Sequence, residues 1–153
     1  MHQGKTKDGV PHGIGLYVYP DGTVYDGEFA DGQWSGKGVL RGGDGSVYEG
    51  QFEGGARHGR GMLRLASGNV YEGEFVNDQR HGAGIVTFPD GAEYEGEFAT
   101  NRFEGWGVFR YADGAEHIGQ FAEGLKNGPG TYKYASGEVD LCNFEADIDA
   151  GEG

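Results

Sequence analysis

The chain has 153 residues, of which 33 are glycine, 36% hydrophobic, 24% charged and 13% aromatic, and its formal net charge is −13. So low an apolar share leaves little with which to build a thick two-layer core, while the aromatic content argues against disorder. The acidic balance opposes binding to nucleic acid and to anionic lipid, both of which need a positive field. Cys142 is the single cysteine, so no internal disulfide forms. No apolar run is long enough for a signal peptide or a membrane span, and a reducing, cytoplasmic setting is expected.

Taken in chain order, the sequence repeats every 23 residues. Residues 2–24 form a partial copy whose opening strand is degenerate, although Gly4 and Gly13-Ile14-Gly15 keep the register. Copies 25–47, 48–70, 71–93 and 94–116 open on Tyr25, Tyr48, Tyr71 and Tyr94 with the form Tyr-x-Gly-x-Phe, and copy 117–139 puts His117 in the tyrosine place. Eleven residues after each opening comes Gly-x-Gly, at Gly36, Gly59, Gly82, Gly105 and Gly128. Beyond residue 139, Phe144 alone keeps its place, and residues 140–153 are read as an acidic cap or tail. The spacing of Leu141, Phe144 and Ile148 predicts a helical cap over the last hairpin, with an acidic lure for a basic partner as the alternative.

Within each copy, Tyr, Gly and Phe alternate with acids or Gln, the period-two pattern of a strand with one buried face. The segment after Gly-x-Gly alternates likewise. Gly9, Gly32, Gly55 and Gly124 are replaced at the eighth place by Asp78 and Asn101. Those three residue types share tolerance of positive φ, so a left-handed turn is expected there. Asp-Gly at residues 21, 44, 90 and 113, or Ser-Gly at 67 and 136, marks the connection between copies as a hairpin turn. Of the 20 aromatic residues, 17 fall at places 1, 5, 16 and 18, so those four places are expected to write the core. One hairpin cannot bury such a face alone, and stacking copies makes a continuous sheet.

The pattern Tyr-x-Gly-x-Phe, then Gly or Asn, then Gly-x-Gly, then Asp-Gly resembles the MORN repeat family across nearly the whole chain. The resemblance implies an all-β fold: an elongated, twisted single antiparallel sheet of stacked 23-residue hairpins forming a groove. It further implies a non-catalytic scaffold that binds a partner protein segment, with cytoskeletal or membrane association. The alternatives it leaves open are a phospholipid (phosphoinositide)-binding tether and a regulatory repeat region of a larger enzyme.

Candidate sites follow from the places of the repeat. Partner contact is assigned to the aromatic groove: Tyr25, Phe29, Trp34, Tyr48, Phe52, Tyr71, Phe75, Tyr94, Phe98, Phe103 and Trp106, occupied by a peptide or helix. Trp34 and Phe103, both at the tenth place, are either partner anchors or rings folded back on the sheet. Arg57, His58, Arg60 and Arg64 make copy 48–70 the candidate for a phosphate or lipid contact, although the net charge disfavours it and loop solvation is the plainer reading. His12, His58 and His81 are too far apart to share a metal at ~2 Å bond lengths and read as loop histidines. The acidic ladder, including Asp26, Glu28, Glu49, Glu72 and Glu74, reads as a solvated face. No residue set converges on catalysis, so no cofactor, metal or nucleic-acid partner is expected; a homodimer through the terminal hairpins is.

Overall fold

The computed structural model describes residues 2–145 and the backbone of 148–152. It divides into two units, residues up to Gln79 and residues from Arg80 onward. In the first unit β1 (His2–Lys7), β2 (Val10–Val18), β3 (Val24–Ala30), β4 (Gln33–Arg41), β5 (Val47–Glu53), β6 (Ala56–Arg64) and β7 (Val70–Val76) follow one another, each pairing antiparallel with the next. The second repeats that meander with β8 (Gln79–Thr87), β9 (Glu93–Ala99), β10 (Arg102–Arg110), β11 (Glu116–Ala122), β12 (Leu125–Lys133), β13 (Val139–Glu145) and β14 (Ile148–Glu152). All described secondary structure is β, as the alternation predicts.

The hairpin turns inside the copies are set by left-handed backbone. Asp31 and Gly32, the two residues between β3 and β4, have φ of 52° and 81°, the paired positive values of a type I′ turn. Asp78 (φ 69°) and Asn101 (φ 67°) adopt the same conformation where glycine is absent. The Asp-Gly connections between copies close differently. Of Asp21 and Gly22 only the glycine has positive φ, and the Asp21 carboxylate accepts the Thr23 N–H at 2.9 Å. The turn is five residues long, Tyr19 to Thr23, because this side-chain acceptor replaces a tight two-residue closure.

One stripe of rings forms the interior of each unit. Tyr25, Phe29, Tyr48, Phe52, Tyr71 and Phe75 are at most 4% exposed in the first unit, and Tyr94, Phe98, His117 and Phe121 are equally buried in the second. Tyr25, Tyr48 and Tyr94 are each gripped edge-on by two phenylalanines, their own and that of the next copy: Tyr25 meets Phe29 at 4.9 Å and Phe52 at 5.2 Å, Tyr48 meets Phe52 at 4.9 Å and Phe75 at 5.1 Å, and Tyr94 meets Phe98 at 5.3 Å and Phe121 at 5.1 Å. The ring needs a bare backbone beneath it. A Cβ on Gly38 would fall on the Tyr25 ring, and one on Gly27 would strike the Gly38 backbone opposite, so glycine in both strands takes the place of a second layer.

The tyrosine tips are also satisfied. Tyr25 Oη donates to the Glu28 carbonyl at 2.7 Å, Tyr48 to Gln51 at 2.8 Å, Tyr71 to Glu74 at 2.7 Å and Tyr94 to Glu97 at 2.9 Å. Burial pushes the hydroxyls of Tyr25, Tyr48 and Tyr94 up to about 12.

Two sequence expectations are corrected. The helical reading of Leu141, Phe144 and Ile148 fails: Val139–Glu145 is a strand paired with β12, and Ile148–Glu152 pairs with it in turn, because the repeat register continues and each new strand satisfies the edge before it. Ala146, Asp147 and Gly153 of that tail lie outside the described residues. The aromatic residues at places 16 and 18 do not join the core as those at places 1 and 5 do, although Val86 at place 16 is buried. Phe88, Phe109, Tyr111 and Tyr132 are only half-buried and Tyr134 is exposed, since these places sit toward the loops between copies.

Candidate partner-binding site

Of the residues expected to contact a partner, Tyr25, Phe29, Tyr48, Phe52, Tyr71, Phe75, Tyr94 and Phe98 have their rings inside the packed stripe. They offer almost no surface, and their work is to hold the strands together. Trp34 and Phe103 fold back. Trp34 stacks on Tyr25 at 5.2 Å and 14°, with its Nε1 donating to Tyr19 Oη at 2.9 Å. Phe103 stacks on Tyr94. Trp106 stands apart, 58% exposed on the opposite face of the sheet.

The tenth place is a cover over the stripe in other copies too. The Arg57 guanidinium lies 5.0 Å from the Phe75 ring and 5.8 Å from that of Tyr48, and Arg80 lies 5.4 Å from Phe98. Both arginines are tied down: Arg57 Nη2 donates to the Asp78 carbonyl at 2.7 Å while its Nε pairs with the Asp78 carboxylate at 3.2 Å, and Arg80 repeats the first contact on Asn101. Of the four residues expected to hold a phosphate, Arg57, His58 and Arg60 are therefore turned to separate partners. Arg57 covers the aromatic face, His58 Nε2 sits 3.5 Å from Glu53 Oε2, and Arg60 projects to the opposite face beside Lys37, Glu49 and Gln51.

The acidic ladder is more than a solvated face. Strands β4 and β6 bulge at Gly-x-Gly, which leaves a backbone donor without a ladder partner. Glu28 Oε2 accepts the Lys37 N–H at 2.6 Å and Gln51 Oε1 accepts the Arg60 N–H at 2.9 Å. The fourth place of the repeat is thus occupied by an acceptor long enough to reach the bulge.

A run of partly accessible rings lies at places the sequence reading assigned to the core. In the second unit, Phe88, Phe109, Tyr111, Tyr132 and Tyr134 form a continuous shelf, with successive ring centroids 5.7, 4.8, 5.6 and 4.8 Å apart. Beside it lies a depression of about 220 Å³ lined by Phe103, Phe109, Tyr111, Phe121, Gly124 and Lys126. The Lys126 ammonium sits 5.2 Å from the Tyr111 ring. The hydroxyls carry acceptors at the rim, where Tyr134 Oη donates to Asp140 Oδ2 at 2.7 Å, and that contact with the carboxylate holds the Tyr134 hydroxyl above its usual range. The first unit has only a short counterpart, Tyr17 and Tyr19 at 4.4 Å, because Leu40, Gly42, Leu63 and Leu65 take these places in its later copies. Aromatics at both places 16 and 18 of one copy were the sequence signal for this shelf.

Comparison with known proteins agrees with the repeat frame. The family model described as MORN repeat matches residues 2–24, 25–47, 48–70, 71–93, 94–116 and 117–139. No curated protein matches the chain. Among solved structures, the chain is similar in fold to the TCP domain of SAS-4 (dCPAP) of Drosophila melanogaster, in complex with a proline-rich motif of Ana2 (dSTIL), with TM-score 0.51, 16% identity, and coverage of 84% of this chain and 77% of that one. It is also similar to the TCP10 domain of Danio rerio CPAP, with TM-score 0.51, 16% identity, and coverage of 92% and 66%.

Proposed function

The chain belongs to the MORN repeat family, and on that premise we propose that it is a non-catalytic protein-interaction module that binds an extended, proline-rich segment of a partner on the aromatic shelf of its second unit. The observation that carries the reading is the run Phe88, Phe109, Tyr111, Tyr132 and Tyr134, whose half-exposed faces lie side by side while the rest of the aromatic stripe is sealed. Rows of exposed rings suit a polyproline II helix: its proline rings pack flat on aromatic faces, and its backbone enters already extended, so little entropy is lost on binding. The similar Drosophila domain, seen with a proline-rich motif, supports the same choice. The hydroxyls of Tyr111 and Tyr132 supply donors for the carbonyls that such a segment leaves unpaired.

A lipid-binding role is the weaker reading. Arg57 is engaged with Asp78 and the Phe75 ring, and the net charge of −13 opposes an anionic surface.

Titration calorimetry with a synthetic proline-rich peptide tests the proposal. Tyr111→Ala and Tyr132→Ala are expected to weaken binding by roughly tenfold or more with the melting temperature little changed. Absence of binding, or binding untouched by both substitutions, would overturn it.

A further inference from the structure

On the face of the second unit opposite the shelf, the repeat pattern changes in a way that the hairpin fold does not require. In the first unit, the cross-strand row through places 15 and 2 alternates apolar and acidic residues: Leu16 is opposite Asp26, Asp26 opposite Val39, Val39 opposite Glu49, Glu49 opposite Met62 and Met62 opposite Glu72. In the second unit the same row begins with Ile85 and Glu95 but then runs Val108, Ile118, Thr131, Leu141 without another acid. Ile118 is 40% exposed, Leu141 59% and the adjacent Trp106 58%. Strands β10, β11 and β13, with Thr131 of β12 between the last two, therefore hold apolar side chains at places where the first unit alternates them with carboxylates.

The next row along the strands alternates in charge. Glu93 is opposite Arg110, Arg110 opposite Glu116 and Glu116 opposite Lys133. The order Glu, Arg, Glu, Lys is its own complement when reversed. A two-fold axis parallel to the strands and passing between β10 and β11 reverses the strand order while leaving each row above itself. It lays Arg110 over the second copy's Glu116, and Glu93 over the second copy's Lys133. The same operation lays Val108 over the second copy's Ile118 and Ile85 over the second copy's Leu141, and between them it sets Glu95 against the hydroxyl of the second copy's Thr131.

From this self-complementarity we propose that the chain forms a two-fold dimer in which the outer faces of two second units stack as a sheet sandwich through Trp106, Val108, Ile118 and Leu141, flanked by reciprocal Arg110–Glu116 pairs. Sheets stacked in this way lie about 10 Å apart, the distance that two layers of such side chains fill. Both partners present the same patch, as an isologous interface requires. The existing Arg110–Glu95 contact at 3.2 Å joins half-exposed groups and contributes little in water, so exchanging it for an interfacial partner is a small sacrifice. The dimer uses the face away from the shelf and leaves both shelves open, giving two peptide sites per assembly.

Sedimentation equilibrium on the full chain over a concentration series tests this. The parent is expected to pass from monomer to dimer with rising concentration. The double variant Ile118→Glu, Leu141→Glu restores the acids that Asp26, Glu49 and Glu72 supply at the same place, so it keeps a fold-compatible residue there; it should raise the dimer Kd by roughly a hundredfold with an unchanged circular dichroism spectrum. Arg110→Glu alone should weaken the dimer, and Arg110→Glu combined with Glu116→Arg should restore it, because the reversed row remains self-complementary. A parent that stays monomeric throughout, a dimer indifferent to the acidic variant, or failure of the charge swap to restore association would overturn the proposal.

Discussion

The ring of Phe103 stacks on that of Tyr94 with centroids 3.8 Å apart and planes within 11° of parallel. The same place in the repeat carries Trp34 over Tyr25 at 5.2 Å, a guanidinium over the stripe at Arg57 and Arg80, and an ammonium at Lys126. Flat aromatic rings and cations look unrelated in sequence, yet each covers the π-face of a ring, a buried one at Trp34, Phe103, Arg57 and Arg80 and the half-buried Tyr111 at Lys126. The tenth place is a lid, and its chemistry is free to vary because only contact with that face is required.

Phe103→Ala and Trp34→Ala are accordingly expected to reduce stability by about 2 kcal/mol each, less than a fully buried ring would cost. Chemical denaturation measures this directly; an unchanged midpoint would return both residues to the surface.

His117 stands in the tyrosine place with 1% exposure, edge-on to Phe121 at 5.6 Å and Phe144 at 5.1 Å. The four tyrosines at this place donate to the carbonyl three residues on, and Gly119 and Gly130 leave the bare backbone that a ring needs. His117→Tyr should gain that contact, here to the Gln120 carbonyl, and stabilise the second unit by about 1 kcal/mol. A lowered melting temperature would show that the imidazole is better adapted to its site.

Alkali should attack the stripe through its tyrosines. The hydroxyls of Tyr25, Tyr48 and Tyr94 are raised from 10.0 to about 12 by burial, so the folded chain keeps protons that the unfolded chain releases. Their stabilising effect is complete below pH 10 and is lost as pH rises toward 12, at about 1.4 kcal/mol per pH unit for each group. Stability measured by denaturation at a series of pH values should fall steeply across this window, with tyrosinate absorbance appearing together with unfolding. Tyrosinate forming near pH 10 in a still folded chain would contradict the burial argument.

The candidate site was less legible than the fold. Tyr25, Tyr48, Tyr71 and Tyr94 repeat so regularly that they invite a functional reading, but a side chain needed once per hairpin is needed by the hairpin. The shelf is written in irregular places, aromatic at 88, 109, 111, 132 and 134 but aliphatic or glycine at 40, 42, 63 and 65, and a repeat average conceals it. The fourth place was similarly obscured. Glu28 and Gln51 look like ordinary solvated side chains until the bulge they fill is seen.

By itself the sequence determined the period, the strands, their alternation and the left-handed hairpin turns, because these depend on spacing two apart, on where β-carbons are tolerated and on residues a few positions away. Tertiary structure alone decided which aromatic places are sealed and which remain half-open, that Trp34 and Phe103 turn inward, that Arg57 parts from Arg60, and that Val139–Glu145 is a strand where local spacing predicted a helix. Those outcomes depend on what the paired strand or the neighbouring copy presents across the sheet, from nine residues away for Trp34 on Tyr25 to 21 for Arg57 on Asp78, and an unpaired sheet edge outweighs a local apolar rhythm.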